Sequence, residues 1–190
     1  MSCCYRKLGL NHFTLSDYDI GLDYYFKSLK LDEERNYKPG IALTLERIGK
    51  LYLNTGDFYK ARKSFERALT MFIELKDDYR TIMNEQCVAV TYQKEAMEFQ
   101  NDSLFHKAID LYKVLLPKSS KNHPKIYASL LQNIGSSYRF LKQYENSVEY
   151  LKKSLPIQIE LGLHKDSSHT CNDIEKTIQR MVIAKPIYQN

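Results

Sequence analysis

Apolar residues return at intervals of three and four along most of this chain, the period of a helix with one buried face. Polar breaks divide the pattern into nine predicted helices, at about 2–15, 18–35, 39–55, 58–76, 79–100, 103–116, 124–141, 144–161 and 168–184. The breaks have local causes. Thr55-Gly56-Asp57 closes one helix with glycine and opens the next with an aspartate cap. Ser16-Asp17 is placed to do similar work. Pro39 and Pro124 fall at predicted helix starts, where a missing N–H costs nothing. Lys118-Ser119-Ser120-Lys121-Asn122-His123 reads as the clearest loop, and Pro156 should kink the eighth helix. The last helix sets Cys171, Ile174, Ile178, Met181 and Val182 on one stripe, which predicts a cap over the end of an array.

The helices repeat in pairs. An apolar-small dipeptide is followed three residues later by an aromatic ring, then by a small residue on the next helix. The second unit shows this best, with Ile48-Gly49, Tyr52, Ala61, Phe65 and Ala68. The first has Leu8-Gly9, His12, Gly21, Tyr25 and Ser28; the third has Val88-Ala89, Tyr92, Ala108, Tyr112 and Leu115; the fourth has Ile134-Gly135, Tyr138, Ser147, Leu151 and Ser154. Gly9 to Gly49 is 40 residues, Gly49 to Ala89 is 40, and Ala89 to Gly135 is 46. The excess sits in one place: Tyr52 to Ala61 is 9 residues but Tyr92 to Ala108 is 16. An insertion confined to one segment, with register restored afterwards, is what a repeat array predicts. Around Glu95 to Ser103 it either lengthens a helix or adds a projecting turn.

These residues resemble the tetratricopeptide repeat, in an extended variety with a period near 40 where 34 is usual. The resemblance covers residues 1 to about 162. It implies an all-α fold, a right-handed α-solenoid of antiparallel helix pairs. One domain would span 1–190, with repeats at about 2–38, 39–78, 79–122 and 123–163 and a C-terminal capping helix at about 168–184. It also implies a non-catalytic scaffold or adaptor that holds a peptide or protein segment in a concave groove. The alternative within the family is a regulatory or sensor domain that binds a short signalling peptide and switches a partner.

In that family the first helix of each pair lines the groove. Carried over residue by residue, the partner-binding positions are Arg6 and Phe13 in the first unit, and Glu46, Lys50 and Asn54 in the second. The third gives Gln86, Val90, Gln93 and Lys94, and the fourth Gln132, Ser136, Arg139 and Phe140. Asn133 matches an asparagine that extended relatives use to grip a peptide backbone. Its counterparts here are Lys7, Arg47 and Cys87, so the ladder has one rung. Arg6, Lys50, Lys94 and Arg139 against Glu46 predict a basic, amide-rich groove and an acidic partner.

Composition adds boundaries. With 28 basic and 23 acidic residues the net charge is +5, but the charges are mixed along the chain and form no stripe, which argues against a nucleic-acid binder. Cys3, Cys4, Cys87 and Cys171 form no CxxC pair, which predicts reduced thiols and a cytoplasmic setting. No apolar run reaches the ~18 residues needed to span a bilayer. GxGxxG, P-loop, GxSxG and HExxH motifs are all missing, so neither an enzyme nor a cofactor is predicted. His164 and His169, with Asp166 between them, are the nearest approach to a metal pair, and no metal site is assigned.

Overall fold

The computed structural model describes residues 1–119 and 122–184. Among them lie nine helices: α1 (Ser2–Thr14), α2 (Tyr18–Glu34), α3 (Lys38–Asn54), α4 (Phe58–Glu74), α5 (Asp78–Phe99), α6 (Asp102–Ser119), α7 (Pro124–Phe140), α8 (Tyr144–Glu160) and α9 (His164–Ala184). Each lies within a few residues of its predicted span. The fold class is all-α, with successive helices packed as antiparallel pairs of the tetratricopeptide type. The helices fall into two compact units, one from Met1 to Glu95 and one from Ala96 onward.

Among the described residues one turn is used seven times, and it explains the regular pairing. After a helix the chain enters the left-handed region for one residue: Ser16, Asn36, Gly56, Lys76, Gln100, Lys142 and Gly162. The next N–H then reaches back five residues to a carbonyl, as in Asp17 to His12, Asp57 to Tyr52 and Leu163 to Gln158, all at 2.9 Å. This Schellman closure satisfies helix-end carbonyls and reverses the chain within three residues. Asp57 and Asp77 then cap the following helices, each accepting a backbone N–H three residues on at 3.0 Å. Asp17 stands at the same place but its carboxylate faces His12 at 3.3 Å, so the expected cap hydrogen bond is not made there.

In the first unit α1 packs on α2, α2 on α3 and α3 on α4. The core joins Tyr25 and Leu29 of α2, Ile41, Leu45, Ile48 and Leu51 of α3, and Ala68 and Phe72 of α4. Gly49 lets α4 come close: a Cβ there would lie 2.7 Å from the Phe65 ring. In the second unit α6 packs on α7, α7 on α8 and α8 on α9. Phe105, Ile109 and Tyr112 of α6, Leu130, Leu131 and Ile134 of α7 and Leu151 of α8 are buried. Gly135 repeats the role of Gly49, with a Cβ there falling 2.7 Å from Leu151 Cγ.

Of the two forms expected for the insertion, the structure takes the helical one: α5 has 22 residues where α3 has 17. It departs from expectation in two further places. The predicted loop begins later than expected, because α6 runs through Pro117 to Ser119; Ser120 and Lys121 lie outside the described residues. Most telling is α9, which starts at His164 and buries a polar stripe, Thr170, Asp173 and Thr177. Its apolar stripe is open, with Ile178 41% and Val182 65% exposed. The register explains this. Forty residues earlier, Thr170, Asp173 and Thr177 correspond to Leu130, Asn133 and Ser137 of α7, and Ile174 and Ile178 to Ile134 and Tyr138. On α7 the latter face is covered by α8, with Ile134 fully buried and Tyr138 against Tyr150 at 5.6 Å between ring centres. α9 is thus placed like the first helix of a pair, and its second-helix face forms a shallow apolar recess with Leu155.

Candidate functional site

The residues expected to face a partner lie on α1, α3 and α5 in the first unit and on α7 in the second. Their side chains are held by a recurring internal wiring. Arg6 of α1 reaches Ser28 at 3.3 Å and pairs with the Asp32 carboxylate of α2, which is 1% exposed. Ser28 in turn donates to the Ser2 carbonyl at 3.0 Å. In the second unit, Gln158 of α8 donates to Gln132 of α7 at 2.9 Å, and Ser154 to the Ala128 carbonyl at 2.7 Å. All four links, Arg6–Asp32, Ser2–Ser28, Gln132–Gln158 and Ala128–Ser154, span 26 residues. They join the first helix of a unit to its own second helix.

A second class of link spans 34 residues and joins one first helix to the next. Glu46 of α3 accepts from Arg80 of α5 at 3.2 Å and also pairs with Lys50. Arg139 of α7 meets Asp173 of α9 at 2.9 Å, with both side chains largely buried. His169 Nδ1 lies 3.4 Å from the second oxygen of Asp173 and 3.2 Å from the Gln132 amide nitrogen. Asn54 donates back to the Lys50 carbonyl at 2.8 Å, which closes the α3 end of its cluster.

The electrostatic consequence is plain. Arg6, Lys50 and Arg139 each face a carboxylate of the chain itself. A buried or half-buried cation so paired is a structural element first, because removing its partner leaves an uncompensated charge. Lys94 is exposed, and Gln86 and Gln93 are buried. Asn133 is half-buried on α7. The first unit thus brings Glu46, Lys50, Asn54 and Arg80 together. The second brings Gln132, Arg139, Gln158, His169 and Asp173 together. Cys87, at the asparagine position of α5, carries a thiol that burial pushes up to about 11 against the opposing pull of Lys50. It is an inert packing residue at neutral pH.

Sequence reasoning missed Asp32, Arg80, Gln158 and Asp173. The signal was available: in a two-helix repeat, opposite charges or matched amides at the fixed offsets of 26 and 34 fall on facing positions. Arg62 was also missed. It stacks over Tyr92 at 4.7 Å and pairs with Glu95. Among the described residues no three histidine, cysteine or acidic side chains converge as a metal would require, and no helix is long and apolar enough to cross a membrane.

Comparison with known proteins agrees with this architecture. Residues 1–74 and 128–158 match family models described as tetratricopeptide repeat. Over 149 residues the chain is 26% identical to the anaphase-promoting complex subunit CDC16 of Saccharomyces cerevisiae, a match covering 78% of this chain and 16% of that protein. Two solved structures superpose well. One is the apo form of RapI, with a TM-score of 0.76 and 19% identity over 95% of this chain and 64% of that one. The other is a signal transduction ATPase with numerous domains from Pyrococcus horikoshii, which carries a tetratricopeptide repeat sensor; there the TM-score is 0.76 and the identity 16%, over 99% of this chain and 31% of that one. The chain therefore spans only part of the length of these relatives, and at such identities the structural likeness is one of fold.

Proposed function

We propose that this chain, a tetratricopeptide repeat protein, is a non-catalytic interaction module that holds a segment of another polypeptide along its first helices. The observation that carries this reading is the polar lining of those helices at equivalent repeat positions. Glu46, Gln86 and Gln132 occupy one position in three units, and each is buried or half-buried on a first helix instead of being replaced by an apolar core residue. Repeat arrays of this kind present extended binding surfaces. The repeat is of the extended kind, with α3 starting at Lys38 and α5 at Asp78, forty residues apart. Such a module works as a scaffold or adaptor in a cytoplasmic setting and needs no cofactor.

Charge is a smaller part of the recognition than composition suggests. Because Arg6, Lys50 and Arg139 are already paired, Lys94 is left as the exposed cation of the expected set. The partner is a segment read mainly by amides and by shape, with an acidic residue favoured near Lys94.

The test is peptide selection from a displayed random library on the full chain, followed by fluorescence anisotropy on the selected peptides. Asn54→Lys and Lys94→Glu alter exposed positions on the first-helix face without removing an ion pair. Lys30→Glu and Lys63→Glu alter exposed positions on second helices and serve as controls. Loss of binding with the first pair and retention with the second supports the reading. Equal binding by all four variants, or no selected peptide at all, refutes it.

A further inference from the structure

The insertion in the third unit builds a pocket that the repeat pattern alone does not provide. Ala96 and Met97 come from the lengthened end of α5 and Gln100 from the turn after it, Asp102 and Phe105 from the start of α6, and Phe140 from the end of α7 with Leu141 and Lys142 from the turn that follows; together they line about 400 Å³. That volume is at the lower end of the range for ligand-binding clefts. Phe105 is buried and lies parallel to Phe140, with 5.3 Å between ring centres and 10° between planes. Met97 and Phe140 are 41% and 40% exposed. Exposed apolar side chains gathered around a cleft are one mark of an interaction site.

We propose that this pocket receives a tryptophan or tyrosine side chain of a partner polypeptide. The proposal rests on reading the chain as a protein-binding module and names one anchor of that interaction. The lining is mixed, and the mixture selects the class of side chain. Phe105 and Phe140 offer an aromatic stack that a further ring extends in an offset or edge-on arrangement. The Met97 thioether favours the edge of a ring over an aliphatic chain. Asp102 and Gln100 also line it and carry oxygens able to accept from an N–H or O–H donor, and Lys142 adds a cation that an aromatic face attracts. An indole or phenol satisfies both demands, whereas leucine or phenylalanine leaves the polar rim desolvated without a partner. Buried aromatic anchors of this kind carry a large share of the affinity at protein interfaces.

The experiment uses the full chain, labelled for heteronuclear NMR, titrated with N-acetyl-tryptophanamide, N-acetyl-tyrosinamide and N-acetyl-leucinamide at millimolar concentrations. Shift changes should centre on the Met97 methyl, the Gln100 amide and the Phe140 ring. The leucine amide should bind roughly three- to tenfold more weakly, the worth of one hydrogen bond. Met97→Glu, at a half-open position that does not threaten folding, should abolish the changes, with the rest of the spectrum unchanged. Absent or scattered shifts, equal binding of the leucine amide, or indifference to Met97→Glu would each overturn the proposal. The two readings fail separately. Peptides selected equally well by Met97→Glu and by the wild-type chain would remove the pocket and leave the module standing. Selection of none by either would remove the module.

Discussion

The Arg6 guanidinium meets the Asp32 carboxylate across the first helix pair, with the carboxylate buried to 1% of its surface. The pair takes a cation expected to greet a ligand and turns it into a clamp between α1 and α2. Removing one half of such a pair strands the other in a poorly solvated site and costs roughly 3–5 kcal/mol. Arg6→Ala should therefore lower stability by about that amount in a urea titration. Replacing both partners together with apolar residues of similar volume should recover most of the loss. A change below about 0.5 kcal/mol for Arg6→Ala would show that the pair is solvated and weak.

The turns give a cleaner backbone test. Gly162 has φ of +65°, and a Cβ added there meets nothing within 4 Å. Gly162→Ala should cost about 1 kcal/mol through left-handed backbone strain alone. Lys76 and Lys142 occupy the same turn position with φ of +55° and +58°. Lys76→Gly should raise the melting temperature, since the strain is removed while the added chain entropy offsets only part of the gain. A lowered melting temperature for Lys76→Gly would place the value of that residue in its side chain.

Such turns also mark where the sequence is legible and where it is not. Gly56 and Gly162 announce themselves, as do Pro39, Pro124 and the Asp57 cap, because their backbone chemistry is unusual. Lys76, Gln100 and Lys142 do the same structural work without any turn preference of their own, and only the repeat frame locates them. The candidate site divides in the same way. Position along the first helices was readable from the Gly49-type signature. The pairing of Arg6 with Asp32 and of Arg139 with Asp173 was harder to read, because the partners lie 26 and 34 positions away on other helices, whereas Lys50 meets Glu46 one turn away on α3 itself. The apolar stripe of α9 misled for a related reason: periodicity shows that a helix has an apolar face, not which neighbour is present to cover it.

Close approach at the glycine of the signature predicts overpacking. A Cβ at Gly49 would sit 2.7 Å from the Phe65 ring, which is itself fully buried. Gly49→Ala gains about 1 kcal/mol of helix propensity but forces α3 and α4 apart or moves the ring, at a cost of roughly 1–3 kcal/mol. The net effect should be destabilising in thermal unfolding. Pairing it with Phe65→Leu should relieve the clash and make the alanine less harmful than in the wild-type background. Additive effects would mean that the ring is not the obstacle.

Thiol reactivity separates Cys87 from the other cysteines. Cys3, Cys4 and Cys171 are exposed, and burial holds the Cys87 thiol near 11. At pH 8 iodoacetamide should modify the exposed three first and reach Cys87 only in denaturant, as mass spectrometry of the digested chain would show. The linkage has a definite sign. A thiol near 8.5 in the unfolded chain and about 11 in the folded one favours the folded state while it stays protonated. Its contribution is complete below about pH 8.5 and lost as pH rises toward 11. Cys87→Ala should remove that alkaline slope. Early native modification of Cys87 would contradict its burial.

The most exposed consequence of the wiring lies in α9. Its buried residues are Thr170, Asp173 and Thr177, so it docks by polar contacts and gains little from hydrophobic burial. Asp173 anchors it through Arg139 at 2.9 Å. Local stability follows the contacts that an element makes, and a weakly docked terminal helix opens before the core does. Arg139→Ala should speed amide hydrogen exchange across residues 164–184 while leaving α3 and α4 unchanged. Asp173→Asn should give a milder acceleration, because an amide oxygen still accepts from the guanidinium without the charge. Exchange that rises throughout the second unit would show that α9 is an integral part of its core. No change in α9 would show that the ion pair contributes nothing to its docking.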